Sequence, residues 1–229
     1  QSMAVSRQEQ DEFAALSQQR AEAAQKSGHF AAEITPVTTP SGKVVDADDC
    51  PRHGTTVEKL AGLKPVLAGQ MGEQATVTAG NACPLNDGAA AVIVMSDTRA
   101  KELGITPLAR VVSTGVSSLN PEIMGLGPIE ATKQALGRAG LSIKDIDLVE
   151  INEAFAAQVV PSARELGIPV DKLNVNGGAI ALGHPFGQTG ARIMTTLIHN
   201  LQTRDGRYGV ETMCVGGGQG MAAVIERLG

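Results

Sequence analysis

The chain has 229 residues, 42% of them hydrophobic and 2% aromatic, so it can form one large domain or two small ones around an aliphatic core. Its formal net charge of −5 and the lack of a basic tract argue against a nucleic-acid partner. No stretch is apolar over the roughly 18 residues that a membrane span requires, so we expect no membrane span.

The three cysteines, Cys50, Cys83 and Cys214, have no metal-ligand spacing and cannot form an even disulfide framework. We therefore expect no metal site and a reducing, cytoplasmic setting. The first residues, Gln1 to Met3, show no basic region followed by an apolar run, so no signal peptide is predicted. They do not resemble a natural start, and we expect the chain to begin within a longer protein.

Residues 1–85 are predicted to form a loop-rich region. The sequence from Ser6 to Glu9 matches a capping box and opens a predicted helix that ends before Gly28. Two short strands are predicted at 33–37 and 43–45, and the remainder is punctuated by Gly and Pro.

The sequence changes in character after Gly88. Ala89 to Met95 is a continuous apolar run, which predicts a strand buried on both faces. Ser96 can cap a short helix that ends at Gly104.

Residues 108–229 alternate between strand and helix patterns. This alternation predicts an α/β fold, with layered helices on a mixed, mostly parallel five-stranded sheet. The predicted strands are 109–113, 147–151, 173–175, 208–214 and 221–227, and the predicted helices are 128–139, 154–166 and 190–201.

Three reactive side chains follow predicted strands in this domain. Asn152 ends one strand, His184 lies in the loop after the next, and Cys214 ends a third. Because chemistry in such sheets gathers at the carboxyl ends of strands, we expect the three side chains to face one cavity.

The histidine lies in a glycine-rich stretch, from Gly178 to Pro185. A helix is predicted a few residues later, and a helix N-terminus favours a neutral imidazole that can accept a proton. A structural histidine that bonds to a loop carbonyl is the alternative reading of His184 alone.

The cysteine Cys214 is followed by a glycine-rich segment that ends at Gly220. The glycines would let a thioester approach the backbone, whose N–H groups can act as donors. A buried cysteine that acts as a small hydrophobe is the alternative. A phosphate-binding G-x-G-x-x-G loop is excluded, because Met221 stands where the last Gly would be.

These stretches together resemble the thiolase family over essentially the whole chain. The sequence NEAF at 152–155 is similar to one family signature, NVNGGAIALGHP at 174–185 to a second, and CVGGGQG at 214–220 to a third. The resemblance implies a thiolase-like fold, with a coenzyme A-binding loop region at 1–85, a strand and helix of the N-terminal half at 86–107, and the C-terminal domain at 108–229. It also implies dimers or tetramers.

The resemblance implies catalytic roles for four residues. His184 would activate a nucleophilic cysteine and hold the thioester oxygen, and Cys214 would move the proton at the substrate α-carbon. Asn152, through a bound water, would complete one oxyanion hole, and the N–H of Gly216 would contribute to a second.

The resemblance also implies residues that contact acyl-coenzyme A, which is the substrate; no permanently bound cofactor is implied. Arg52 matches a position near the nucleotide end of coenzyme A, and Leu67 and Phe155 match positions near the substrate tunnel. Cys83 stands where many thiolases have a serine that touches the pantetheine arm, and a thiol is a weaker donor than a hydroxyl.

The nucleophilic cysteine of the family has no counterpart among Cys50, Cys83 and Cys214. We therefore expect the N-terminal thiolase half, or a subunit that carries this cysteine, to complete the site. The leading hypothesis is a 3-ketoacyl-CoA thiolase or acetyl-CoA acetyltransferase. A β-ketoacyl synthase relative is disfavoured by Cys214, and a non-catalytic thiolase-like subunit that binds acyl-CoA or lipid remains the alternative.

Overall fold

The computed structural model describes residues 3–229. No helix in this described range is long and apolar enough to cross a membrane. The helices are α1 Arg7–Lys26, α2 Val57–Ala61, α3 Ala68–Met71, α4 Asp97–Glu102, α5 Gly127–Ala139, α6 Ala156–Leu166, α7 Ala179–Leu182 and α8 Thr189–Thr203. The strands are β1 Val37–Thr38, β2 Val44–Val45, β3 Ala109–Ser118, β4 Leu148–Ile151, β5 Tyr208–Val215 and β6 Gln219–Arg227.

The chain forms two compact units that are discontinuous in sequence. The first unit comprises the chain up to Asp87 together with Glu153–Val160 and Asn176–His184. The second comprises Gly88–Asn152, Pro161–Val175 and Pro185–Gly229.

Helix α1 is the main regular element of the first unit. The predicted capping box is present, since the Ser6 hydroxyl accepts from the Glu9 backbone and the Glu9 carboxylate accepts from Ser6. The chain leaves the helix through Gly28, whose φ is +75°. A small apolar cluster lies against the end of the helix and includes Ala21, Ala24, Phe30, Ala181 and Leu182.

The second unit is built on one four-stranded sheet with the strand order β3-β6-β5-β4. Helix α5 packs on one face, where a side chain at Gly115 would collide with the backbone of Ala131. Helix α8 packs on the other face, where Leu197 lies against Gly209. The core on that side contains Leu148, Val175, Leu197, Leu201, Ala223 and Ile225.

The α/β layering of the second unit is as predicted, but the expectation of a mostly parallel, five-stranded sheet is wrong. Only β4 and β5 pair in parallel; β5 with β6 and β3 with β6 are antiparallel. The predicted strand 173–175 makes one parallel bridge, between Leu173 and Val149. Its next residue, Asn174, has a φ of +43°, which ends the extended conformation.

The prediction of a doubly buried strand from Ala89 to Met95 is also wrong for this structure. The segment has no strand pairing, and Ile93 and Val94 are 86% and 78% exposed. The apolar run predicts burial on both faces, but in the described part of the chain no strand pairs with the segment and its residues are exposed. The predicted helix cap at Ser96 is present and starts α4.

Candidate active site

Asn152 and Cys214 lie at the carboxyl ends of the two parallel strands of the second unit. Ile151 of β4 is paired with Thr212 of β5, and the N–H of Asn152 donates to the carbonyl of Thr212 at 3.0 Å. Asn152 therefore follows directly on β4, and Cys214 lies two residues further along β5 than Thr212. The sequence prediction that both residues stand at strand ends is met within this unit.

The end of β4 is held by the side chain of Asn174. Its Oδ1 accepts from the N–H of Ile151 at 2.8 Å, and its Nδ2 donates to the carbonyl of Ile151 at 2.9 Å. One carboxamide thus replaces both hydrogen bonds that a neighbouring strand would make at this position. This fixes the backbone immediately before Asn152.

Cys214 is 8% exposed and lies on the face of the sheet that α5 covers. It is paired with Gly220 of β6, and a side chain at Gly220 would collide with the Gly127 carbonyl at the start of α5. Burial raises the pKa of the Cys214 thiol. This environment therefore favours the protonated thiol over the thiolate.

The predicted glycine turn joins β5 to β6. Gly216 and Gly217 have φ values of +60° and +71°, and Gly218 has +148°. These conformations are strained for residues with a Cβ, so the tight connection after Cys214 requires glycine. Gly218 also accepts a hydrogen bond from the N–H of Leu119 at 2.9 Å, which anchors the turn.

The loop that carries His184 belongs to the first unit, and we call residues 178–184 the histidine loop. Its start is held by a buried carboxylate: Glu153 Oε2 accepts from the Ile180 N–H at 3.1 Å and from the Ser17 hydroxyl at 2.6 Å. The Ser17 hydroxyl in turn accepts from the N–H of Gly178 at 3.1 Å. A Cβ at Gly178 would lie 2.4 Å from the Glu153 carboxyl carbon, so this approach requires glycine.

The end of the histidine loop is held by Asn86. The backbone N–H of His184 donates to Asn86 Oδ1 at 3.0 Å. The preceding Gly183 has a φ of +92°, and a Cβ there would lie 2.3 Å from the Asn86 carboxamide. His184 itself is half-buried.

The side chain of Gln18 connects the histidine loop to the segment that contains Arg52. Its Nε2 donates to the carbonyl of Ile180 at 3.1 Å, and its Oε1 accepts from the N–H of Arg52 at 2.8 Å. A small cleft opens beside this connection. It is lined by Gln18, Cys50, Arg52, Thr55, Leu60, Ala79, Gly80, Pro84 and Ile180.

The other residues predicted to contact coenzyme A are Cys83, Phe155 and Leu67. The N–H of Cys83 donates to the carbonyl of Ala154 at 3.1 Å. This bond joins Cys83 to the residue that precedes Phe155 in the sequence. Phe155 and Leu67 are 44% and 45% exposed. The cleft is lined by Arg52 but by none of Cys83, Phe155 and Leu67 in the described residues.

Several buried polar residues that hold these segments were missed at the level of sequence. Ser17 and Gln18 lie on the inner face of α1, where they are 2% and 5% exposed. Glu153 is fully buried, and its place in the NEAF motif does not by itself predict this burial. A polar residue on the apolar side of an amphipathic helix was the available signal for Ser17 and Gln18.

Two family models match the chain. The model of the thiolase C-terminal domain matches residues 105–227, and that of the thiolase N-terminal domain matches residues 1–98.

The chain belongs to the thiolase family.

Curated relatives include two bacterial acetyl-CoA acetyltransferases. The protein of Thiocystis violacea is 52% identical over 229 residues, covering 98% of this chain and 57% of the relative. The protein of Paracoccus denitrificans is 52% identical over 226 residues, covering 97% and 57%. This thiolase chain therefore spans little more than half the length of these relatives.

Solved structures show the same fold. The acetyl-CoA acetyltransferase of Bacillus anthracis has a TM-score of 0.92 at 47% identity, covering 98% of this chain and 57% of that chain. Human mitochondrial 3-ketoacyl-CoA thiolase in complex with CoA has a TM-score of 0.90 at 46% identity, covering 98% and 55%. The thiolase-like fold predicted from the sequence motifs is thus confirmed.

Proposed function

We propose that this chain is the acid/base part of an acyltransferase that cleaves 3-ketoacyl-CoA by thiolysis, or runs the reverse condensation of acyl-CoA with acetyl-CoA. The observation that carries the proposal is the placement of Asn152 and Cys214 at the ends of adjacent parallel strands. Family membership and the names of the relatives support it. Asn152, Cys214 and Gly216 lie in one unit and His184 in the other, and the proposal requires that all four face one cavity.

In the cleavage direction, the imidazole of His184 takes the proton of the nucleophilic cysteine, whose sulfur attacks the 3-keto carbon. The bond between C2 and C3 breaks, and its electron pair passes into the enolate of acetyl-CoA. His184 and Asn152, the latter through a water, donate to the enolate oxygen. A single donor of this kind contributes about 2.7–4 kcal/mol to lowering the barrier.

Cys214 then gives its proton to the α-carbon and is left as a thiolate. The raised pKa of the buried thiol suits this step, because the proton is present at neutral pH and the thiolate that remains is a strong base. In the condensation direction the same thiolate removes the α-proton. The N–H of Gly216 would stabilise the oxyanion formed when coenzyme A attacks the acyl-enzyme.

The substrate arm is proposed to lie along the first unit. Arg52 would contact the nucleotide end of coenzyme A, and its place in the cleft beside Gln18 supports this. Cys83, Phe155 and Leu67 would lie along the pantetheine arm and the acyl tunnel. The bound coenzyme A of the human thiolase structure supports acyl-CoA as the ligand class. No resident cofactor is required by these steps.

The proposed assembly includes the N-terminal thiolase half, or a subunit that supplies the nucleophilic cysteine. Neither Cys50 nor Cys83 fits that role: burial and the neighbouring carboxylates of Asp49 and Asp48 raise the pKa of Cys50, and Cys83 belongs to the proposed coenzyme A segment. The domain division at residues 85 and 107, a homodimer or tetramer, and a cytoplasmic setting belong to the same proposal.

The experiment is a complementation assay. The chain is purified alone and co-expressed with the N-terminal portion of a close relative such as the Thiocystis violacea enzyme, and thiolysis of acetoacetyl-CoA is measured. We expect turnover only in the co-expressed sample, and its loss when His184 is replaced by Asn. A co-expressed complex that binds CoA without turning over acetoacetyl-CoA would instead favour the non-catalytic subunit.

A further inference from the structure

The side chain of Asn86 makes a specific contact with the backbone of the residue on which the proposed chemistry depends. Its carboxamide Oδ1 accepts from the N–H of His184 at 3.0 Å, across 98 residues of sequence. Both residues belong to the same compact unit. The contact therefore ties the histidine directly to a second, distant segment of the chain.

The orientation of this carboxamide is itself fixed. Asn86 Nδ2 donates to the backbone carbonyl of Asp87 at 3.0 Å. This bond leaves Oδ1 as the atom that faces His184, because the opposite orientation would bring two carbonyl oxygens together at Asp87 and two N–H groups together at His184. The bond to Asp87 thus orients the carboxamide so that its oxygen can accept from the N–H of His184.

The backbone beside His184 has little freedom to move away. Gly183 has a φ of +92°, and any Cβ on it would lie 2.3 Å from the Asn86 carboxamide, so the carboxamide lies flat against the loop. The N–H of Gly183 donates to the carbonyl of Ala179 at 2.8 Å. At the other end, Glu153 accepts from the N–H of Ile180 at 3.1 Å.

The histidine loop is therefore held at both ends, and the side chain of Asn86 bonds to the backbone of His184 itself. The direction in which an imidazole projects follows from the backbone at its own Cα. A rotation of that backbone would move the ring, and a misplacement of about 1 Å can cost roughly 100-fold in rate.

We propose that Asn86 is a positioning residue that fixes the backbone of His184 so that its imidazole meets the substrate and the nucleophilic cysteine in the productive geometry. The proposal rests on the proposed function, since it assigns His184 to the chemistry. Asn86 acts through His184 and is assigned no contact with the substrate.

The test compares Asn86→Ala and Asn86→Asp with the parent in the complete enzyme, with Asp87→Asn as the matched control. The alanine variant removes the acceptor, and the aspartate variant keeps an oxygen at the same place. Asp87 is exposed, and only its backbone carbonyl takes part in the contact, so its side chain can be changed without touching the histidine loop.

For Asn86→Ala we expect kcat for acetoacetyl-CoA thiolysis to fall about 10- to 100-fold, with KM changed less than about 3-fold. Asn86→Asp should recover part of kcat, because one carboxylate oxygen still accepts from His184 although the bond from Nδ2 to the Asp87 carbonyl is lost. Its added negative charge should also move the histidine-dependent limb of the pH profile to higher pH, because a nearby carboxylate favours the imidazolium. Asp87→Asn should match the parent.

Amide hydrogen exchange over residues 178–184 is measured on the same samples. It should accelerate in Asn86→Ala and stay protected in Asn86→Asp. A kcat within about 2-fold of the parent in the alanine variant, or an aspartate variant no better than alanine, overturns the positioning role.

The exchange measurement separates this proposal from the proposed function. If the parent enzyme is inactive, the assignment of His184 to catalysis is wrong, and the contact between Asn86 and His184 has no catalytic role. Unchanged exchange in Asn86→Ala shows that Asn86 does not hold the histidine loop, whatever the activity. Accelerated exchange together with the selective fall in kcat supports both statements.

Discussion

Glu211 lies on β5 with its side chain toward α8, on the same face as Gly209, which Leu197 of that helix covers. Its Oε2 is buried without a hydrogen-bond partner in the described residues. Burial raises the pKa of Glu211 to about 8, opposed by the positive charge of Arg192 on α8. The neighbouring residue on β4 is a second carboxylate, Glu150.

This environment predicts a pH-dependent stability. The folded state binds the Glu211 proton more tightly than the unfolded state, whose ordinary pKa is 4.5. The contribution of Glu211 to the free energy of unfolding is therefore fully present below about pH 4.5. It is lost as the pH rises to about 8, at up to about 1.4 kcal/mol per pH unit. Urea unfolding across this range should show that slope in the parent and a flatter profile in Glu211→Gln.

The matched control for this measurement is Glu130→Gln, which removes an exposed carboxylate on α5. It should keep the parental slope between about pH 5 and 8. Equal slopes in the parent and in Glu211→Gln would contradict the assignment of a protonated Glu211 at neutral pH.

Substitutions of Cys214 and His184 should distinguish proton transfer at the α-carbon from acyl transfer to the nucleophilic cysteine. In the complete enzyme, Cys214→Ala should abolish deuterium incorporation at the α-carbon of acetyl-CoA in D₂O, because the buried thiol is the proposed carrier of that proton. Acyl transfer to the nucleophilic cysteine should persist, as measured by mass spectrometry of the acyl-enzyme. His184→Asn should impair both steps, and loss of both in Cys214→Ala would refute the division of roles.

At the scale of elements, the end of β4 pairs with β5 on one edge and is held on the other edge by the side chain of Asn174. Asn174→Gly removes the two hydrogen bonds to Ile151 while still permitting the φ of +43°. We expect a loss of about 1–3 kcal/mol in the free energy of unfolding for the buried groups left unsatisfied.

Asn174→Ala provides the comparison, because it removes the same bonds and also places a Cβ in the left-handed conformation. It should be less stable than Asn174→Gly by about 1 kcal/mol in chemical denaturation. Equal stability of the two variants would show that the backbone relaxes away from its left-handed conformation once the carboxamide is gone.

The sequence patterns identified the elements better than the pairings between them. Local signals predict the capping box at Ser6, the cap at Ser96 and two parallel strands, one ending before Asn152 and the other one residue after Cys214. The contacts of Asn86 and Glu153 join residues 98 and 136 positions apart, and no periodic pattern encodes such a distance. The side chains that hold the histidine loop are therefore identified only from the structure.

At the scale of the whole molecule, the apolar segment from Ala89 to Met95 is the feature that local reasoning misjudged. The run has the composition of a strand, but a strand needs a neighbour to pair with, and exposed apolar segments are sites of association. The segment matches the end of the family's N-terminal domain model, which reaches residue 98. The motifs predicted the family, whereas the burial predicted for this run is not found in the described residues.

We expect the purified chain on its own to self-associate through this segment. Ile93→Lys should lower the apparent mass in light scattering, because Ile93 is 86% exposed and a charge disfavours strand association. Val44→Lys, at another exposed apolar position, is the control and should have a smaller effect. A monodisperse monomer with a sharp cooperative melt for the unaltered chain would contradict this expectation.

Because the first unit is built from separate stretches of the chain, it limits where gene segments of two homologues can be joined. Ser17, Glu153 and Gly178 form one hydrogen-bonded group, yet they come from three stretches of polypeptide separated by long insertions. A chimaera with a crossover between residues 88 and 152 would take the hydroxyl from one parent and the carboxylate from the other. Gene shuffling among homologues should therefore succeed only where both parents carry compatible residues at all three positions.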